Sequence, residues 1–160
     1  MNRTLQPVPR WAIYASWLLS FIGVALAIYL TIAHYHGSKI LACPDTGTIN
    51  CAKVTTSAQS VFLGMPVAVL GLATFVVMVA INSPWAWKSR WYWLHVVRFV
   101  LVLGSMAFVL WLVYAEIIII GNICLYCTGV HIVTFFLLIL IVQFYGRRLP
   151  DFEDSGQPRS

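Results

Sequence analysis

Charge is what this sequence has least of. Asp, Glu, Lys and Arg make up 9% of its 160 residues and hydrophobic residues 61%, whereas a soluble domain carries roughly 25% charged residues. That balance excludes an ordinary soluble fold and a disordered chain, and it makes membrane lipid the surrounding solvent. No hydrophilic stretch reaches the about 50 residues that a soluble domain needs, so any function must sit in a membrane bundle or on its short loops. Basic arms with interleaved aromatics are also missing, and the seven Trp lie in or beside apolar runs; a nucleic-acid partner is not expected. Internal repeats and low-complexity stretches do not occur.

What the chain has is four apolar runs, each near the ~20 residues of a spanning helix. They cover about Trp11–Ala33, Met65–Ile81, Trp93–Ile118 and Ile123–Tyr145. The first is too long for the apolar region of a signal peptide, about 7–15 residues, and reads as a retained span. Gly64-Met65-Pro66 suits the start of the second, because Pro lacks the N–H that a first turn leaves unpaired. Asn82-Ser83-Pro84 suits its end. The expected fold class is all-α, an integral membrane four-helix bundle over residues 11–145. Residues 1–10 precede it, and the tail 146–160 ends in a polar, disordered stretch from Asp151 to Ser160.

Orientation follows from the basic residues. Arg3 and Arg10 precede span one; Lys88, Arg90 and Arg98 lie in or beside the loop joining spans two and three; Arg147, Arg148 and Arg159 follow span four. Only Lys39 and Lys53 occupy the 36–62 loop between spans one and two, and the 119–122 turn has none. Eight against two places both termini in the cytoplasm and the 36–62 loop outside. Trp11, Trp85, Trp87, Trp91 and Trp93 then form an aromatic belt at the cytoplasmic interface, and the Asn2-Arg3-Thr4 sequon stays unglycosylated.

This topology puts all four cysteines on the outer side. Cys43 and Cys51 lie in the loop, while Cys124 and Cys127 open span four. An even, one-sided set fits a compartment that permits disulfides. Two structural bridges would suit Cys43 and Cys51, but a Cys-x-x-Cys pair closes a ring too short to restrict much chain entropy; such pairs more often do redox chemistry or bind metal. Zinc would need tighter spacing than the eight residues from Cys43 to Cys51, or histidines at ligand spacing, so no metal is expected. Position 128 is Thr, which excludes haem attachment. With Gly121-Asn122 as the turn and Asn122 as the cap, Cys124 and Cys127 share a face in the first turns of a helix, where the partial positive charge of the N-terminus stabilises a thiolate.

The pattern resembles the vitamin K epoxide reductase family: four spans, a loop cysteine pair after the first (Cys43, Cys51), a Ser six residues on (Ser57), and a Cys-x-x-Cys opening the fourth (Cys124-Leu125-Tyr126-Cys127). The Gly64-Met65-Pro66 step looks like that of bacterial members, and the resemblance covers about residues 11–145. The other quinone-linked disulfide generators of bacterial membranes carry the two cysteine pairs in the reverse order. The resemblance implies a relay at the inner (plasma) membrane. A reduced thioredoxin-like or DsbA-like protein meets Cys43, Cys51 attacks Cys124, and Cys127 faces a quinone of menaquinone or ubiquinone type. No thioredoxin-like segment follows span four before Ser160, so the partner is expected to be a separate protein. His131 stands where vertebrate members carry a quinone-binding Tyr, and span two lacks their Asn, which puts epoxide reduction aside.

Four residues are candidates for the quinone: Ser57, Tyr126, His131 and Glu116. His131 follows Cys127 by four on one helix face and reads as a quinone donor or a packed histidine. Glu116 reads as snorkelling to the interface or as a proton route to the quinol. Tyr126 gates access. His34 and His36 sit at the interface, and His95 and Arg98 lie far from the cysteines. Two other function classes compete: an assembly protein whose disulfides only clip its loops, and a small transporter or metal-handling protein. The Cys-x-x-Cys at a helix start disfavours the first, and the scarcity of polar residues in mid-span disfavours the second.

Overall fold

The computed structural model describes residues 8–37, 40–44, 46–89 and 91–155, with backbone alone from 146. Arg3, Lys39, Arg90, Arg159 and the sequon lie outside the described residues. Among the described residues six α-helices run in chain order: α1 (Arg10–His36), α2 (Cys51–Thr55), α3 (Val67–Ile81), α4 (Pro84–Lys88), α5 (Tyr92–Tyr114) and α6 (Leu125–Ser155). A π-helical segment, Ala115–Ile120, continues α5. Among the described residues three segments are long and apolar enough to cross a membrane: Arg10–His36, Tyr92–Ile120 and Leu125–Tyr145. Val67–Ile81 is a shorter apolar helix of 15 residues.

Helix α1 is the centre of the packing, touching both α3 and α6, while α5 leans on α6. Its inner face is a stripe of small side chains, Ala12, Ser16, Ser20, Gly23, Ala27 and Ala33, which lets neighbouring backbones approach closely. At Gly23 the approach is complete: a Cβ there would lie 2.2 Å from the Phe75 ring. The core between the helices is apolar, built on Phe75, Met78, Val102, Val133, Leu137 and Ile141.

Helix α3 begins two residues later than expected. Leu63 (φ 52°) and Gly64 (φ 81°) form a tight turn, the positive-φ pair of a two-residue hairpin. It pairs β1 (Val61–Phe62) with β2 (Met65–Pro66), so Pro66 becomes the cap residue and not the first turn. The far end is as expected: α3 stops at Ile81, and Ser83 caps α4 by accepting from Ala86 N–H at 3.2 Å. The tail expectation is corrected, since α6 runs on to Ser155; adding residues to an existing helix avoids the cost of nucleation.

The end of the bundle away from the cysteines holds a buried polar node. Arg98 does not sit in a loop but inside α5, buried. Its guanidinium lies 3.9 Å from the Trp87 ring centroid and donates to Ile81 O at 3.1 Å from Nε, and also from Nη2. Trp87 donates to Ser16 Oγ at 3.2 Å, and Asn82 Nδ2 to Ser20 Oγ at 3.0 Å. Trp11, Trp85, Trp91 and Trp93 are exposed as an interfacial belt requires, but Trp87 is buried. A cation over its ring and the hydrogen bond that its indole N–H donates to Ser16 draw it inward.

Candidate functional site

The loop after α1 folds back onto the start of α6. Asn50 N–H donates to Ile123 O at 3.1 Å and Ile123 N–H to Thr48 O at 2.9 Å, a short bridge between Ile49 and Ile123. Asn122, buried beside them, donates from Nδ2 to Gly47 O at 2.6 Å and accepts from Lys53 Nζ at 2.5 Å. Asn50 caps α2, its Oδ1 accepting from Lys53 N–H at 2.8 Å. These contacts seat Cys51, the first residue of α2, in one buried cluster with Cys124, closed by Leu30, Leu41 and Val54. Cys51 is 1% exposed and Cys124 0%; Cys43 and Cys127 pack against the same cluster. Cys43 and Cys51 are joined as a disulfide, their Cα atoms 6.1 Å apart, while Cys124 and Cys127 are free thiols.

Asn122 is therefore not the cap of α6, because its amide is taken up by the loop. The cap is Cys124 itself: its Sγ accepts from Cys127 N–H at 3.4 Å. A side-chain acceptor at this position satisfies one of the amides that a helix start leaves open, and the helix dipole favours negative charge on that sulfur. The sequence predicted the outcome, a thiol at a positive helix end, but assigned the capping to the wrong residue.

Cys127, one turn on, faces a cavity of about 470 Å³, within the usual range for small-molecule sites. Of the four cysteines only Cys127 lines it. Ser57, Glu116 and His131 line it as well, against apolar walls from α3 and α5 such as Leu70, Phe75, Phe108 and Leu112. His131 is 9% exposed and has no hydrogen-bond partner among the described residues. Ser57 donates to Val54 O at 2.8 Å, which leaves its oxygen as an acceptor toward the cavity. His34, expected at the interface, lines the cavity too.

Two candidates stand elsewhere than expected. Tyr126 is not among the cavity residues; its hydroxyl donates to Ala42 O at 3.2 Å and its ring packs on Tyr29 at 4.8 Å, so it braces the loop. Glu116 does not snorkel. It is 6% exposed, and its carboxyl accepts from Cys124 N–H and from the Cys127 thiol. The π segment turns it inward, and the segment is closed by Asn122 N–H donating to Glu116 O at 3.1 Å and by Gly121 at φ 68°. Lys53 and Asn122 were missed as site residues. The available signal was Asn50 ahead of Cys51, a preferred helix-cap residue that would have put Lys53 on a helix beside the loop cysteine.

Compared with known proteins, the chain matches the family model of the vitamin K epoxide reductase family over residues 14–142. That stretch holds all four cysteines, Ser57, Glu116 and His131.

Proposed function

Since the chain belongs to the vitamin K epoxide reductase family, a family of membrane thiol–disulfide oxidoreductases, we propose that it oxidises a separate thioredoxin-like protein and hands the electrons to a quinone. The partner's dithiol reduces the Cys43–Cys51 disulfide and leaves as a disulfide. The Cys51 thiolate then attacks Cys124 of the oxidised inner pair, and Cys127 leaves as a thiolate. Cys43 attacks Cys51, which restores the loop disulfide and frees Cys124. The inner dithiol finally closes to a disulfide, giving two electrons and two protons to the quinone. Exchange of this kind needs thiolate attack along an open line, and the loop's place against Cys124 provides one.

The observation that carries this reading is the division of the four sulfurs. Cys51 and Cys124 share a sealed cluster, whereas Cys127 alone opens onto the cavity. The cavity suits a quinone as electron acceptor: its walls are largely apolar, and His131 and Ser57 are among the polar groups that line it and could orient a ring oxygen. A loop-clipping role for Cys43 and Cys51 would leave the capped Cys124 and the cavity thiol Cys127 without a task. In the membrane, α3 serves as the fourth span, the basic residues hold both termini in the cytoplasm, and the cysteines face the outside of the inner membrane.

The test is anaerobic quinone reduction by the purified protein, with a reduced thioredoxin-like donor or a small dithiol. Cys124→Ser and Cys127→Ser should abolish turnover with either donor. Cys43→Ser and Cys51→Ser should block the protein donor but keep the small dithiol, and Cys43→Ser should accumulate a Cys51–Cys124 bond under acid quench. Equal loss with both donors, or a Cys51–Cys127 bond, would refute the order of the relay.

A further inference from the structure

Reduction of a quinone consumes protons as well as electrons, and the relay leaves open which group moves them. Among the described residues Glu116 is the one acidic side chain that lines the cavity. It is 6% exposed and, among the described residues, pairs with no cation. Burying a carboxyl without a counter-charge is costly, and an ionisable group inside an apolar span marks a working position. Its contacts are the reacting groups themselves: the Cys127 thiol and the backbone N–H of Cys124. The π segment Ala115–Ile120 places it there, and such segments concentrate at functional sites.

We propose that Glu116 is the catalytic acid–base of the quinone step, a role that rests on the quinone reading above. When Cys51 attacks Cys124, the Glu116 carboxylic acid gives its proton to the departing Cys127 thiolate and becomes a carboxylate. When the inner pair reduces the quinone, the carboxylate takes the Cys127 thiol proton, the Cys124–Cys127 S–S bond forms, and two electrons leave for the quinone. Glu116 then delivers its proton to one quinone oxygen. The second quinol proton balances the one lost by the Cys124 thiol. Glu116 then stands as a carboxylate, and the proton that Cys51 shed on becoming a thiolate returns it to the acid for the next cycle, so the partner's two thiol protons end on the quinol.

The test is stopped-flow, under anaerobic conditions, of pre-reduced protein against a short-tailed quinone from pH 5 to 9. Glu116→Gln keeps the shape and the acceptor oxygen but cannot carry a proton. It should slow the reaction about 10²-fold, the lower end of general acid–base effects, and flatten the pH profile. Glu116→Asp should recover part of the rate and the pH dependence, which also guards against a folding defect in the Gln variant. A Gln variant within twofold of an active parent overturns this role and spares the quinone reading. A Gln variant that is slow with the parent's pH profile, unaided by Asp, makes Glu116 structural and overturns it too. A parent that reduces no quinone sinks both.

Discussion

Removing the Asn122 amide should release the cysteine loop from α6. In Asn122→Ala two interactions disappear: the forked donation from Nδ2 to Gly47 O at 2.6 Å and Thr48 O at 3.4 Å, and the hydrogen bond from Lys53 Nζ at 2.5 Å. The first is neutral and buried, about 0.5–1.5 kcal/mol. The second involves a cation, but Lys53 is exposed, so its contribution falls below about 1 kcal/mol. Together they come to roughly 0.5–2.5 kcal/mol, or about 2- to 70-fold in the ratio of docked to undocked loop. Amide hydrogen exchange reads this directly, because Asn50 N–H and Ile123 N–H are protected only while the loop is docked. Both should exchange faster by that factor, with mid-helix amides such as that of Val102 unchanged. Asn122→Asp keeps the acceptor for Lys53 and loses the donor to Gly47, so it should fall between parent and Ala. Protection of Ile123 within twofold of the parent would refute the reasoning and assign the docking to the burial of Leu41 and Val54 instead.

His131→Leu should slow quinone reduction about tenfold or more, since loss of one donor to developing oxygen charge costs up to roughly 10²–10³ in rate. His131→Tyr should keep much of the activity, and a Leu variant equal to the parent from pH 6 to 8 would make the histidine mere packing. Gly23→Ala should lower the unfolding midpoint in detergent, because its Cβ would meet the Phe75 ring at 2.2 Å and overpacking typically costs about 1–3 kcal/mol. Adding Phe75→Leu should restore most of the loss, and a single variant as stable as the parent would show that the ring moves aside freely.

The chemistry was legible because it rests on few residue types at fixed intervals. Cys43, Cys51, Ser57 and the Cys124–Cys127 pair could be picked out without any coordinates, and the structure brings all of them to one end. The apolar runs likewise marked the long helices to within a few residues, except that α6 continues past Tyr145 to Ser155. What escaped depends on partners distant in the chain. Asn122 is equally suited to capping a helix and to gripping a loop, and only the arrival of Gly47 and Lys53 decides between them. The run of four Ile from Ile117 to Ile120 has the same hydropathy in an α- or π-helix, so nothing local tells that Glu116 turns inward. Arg98 was legible as lying at the end far from the cysteines, but its partners were not. It falls inside the expected span Trp93–Ile118, where a charge needs a buried partner, and Trp87 and the end of α3 provide it.

Helix α3 has 15 residues, which rise roughly 22 Å, whereas the hydrocarbon of a typical bilayer is about 30 Å thick. Its C-terminal carbonyl at Ile81 would therefore stop inside hydrocarbon, where an unmet polar group is costly. Arg98 meets it there, and α4 turns in beneath to close the gap. With α3 as the proposed fourth span, the protein on this flank would be shorter than its surroundings, and the lipid would thin to match it. Because α3 is also a wall of the cavity around Cys127, the acyl-chain length of the host membrane becomes a variable acting on the width of that cavity. Electron transfer is then expected to respond to bilayer thickness, a property that no side chain of the site itself senses.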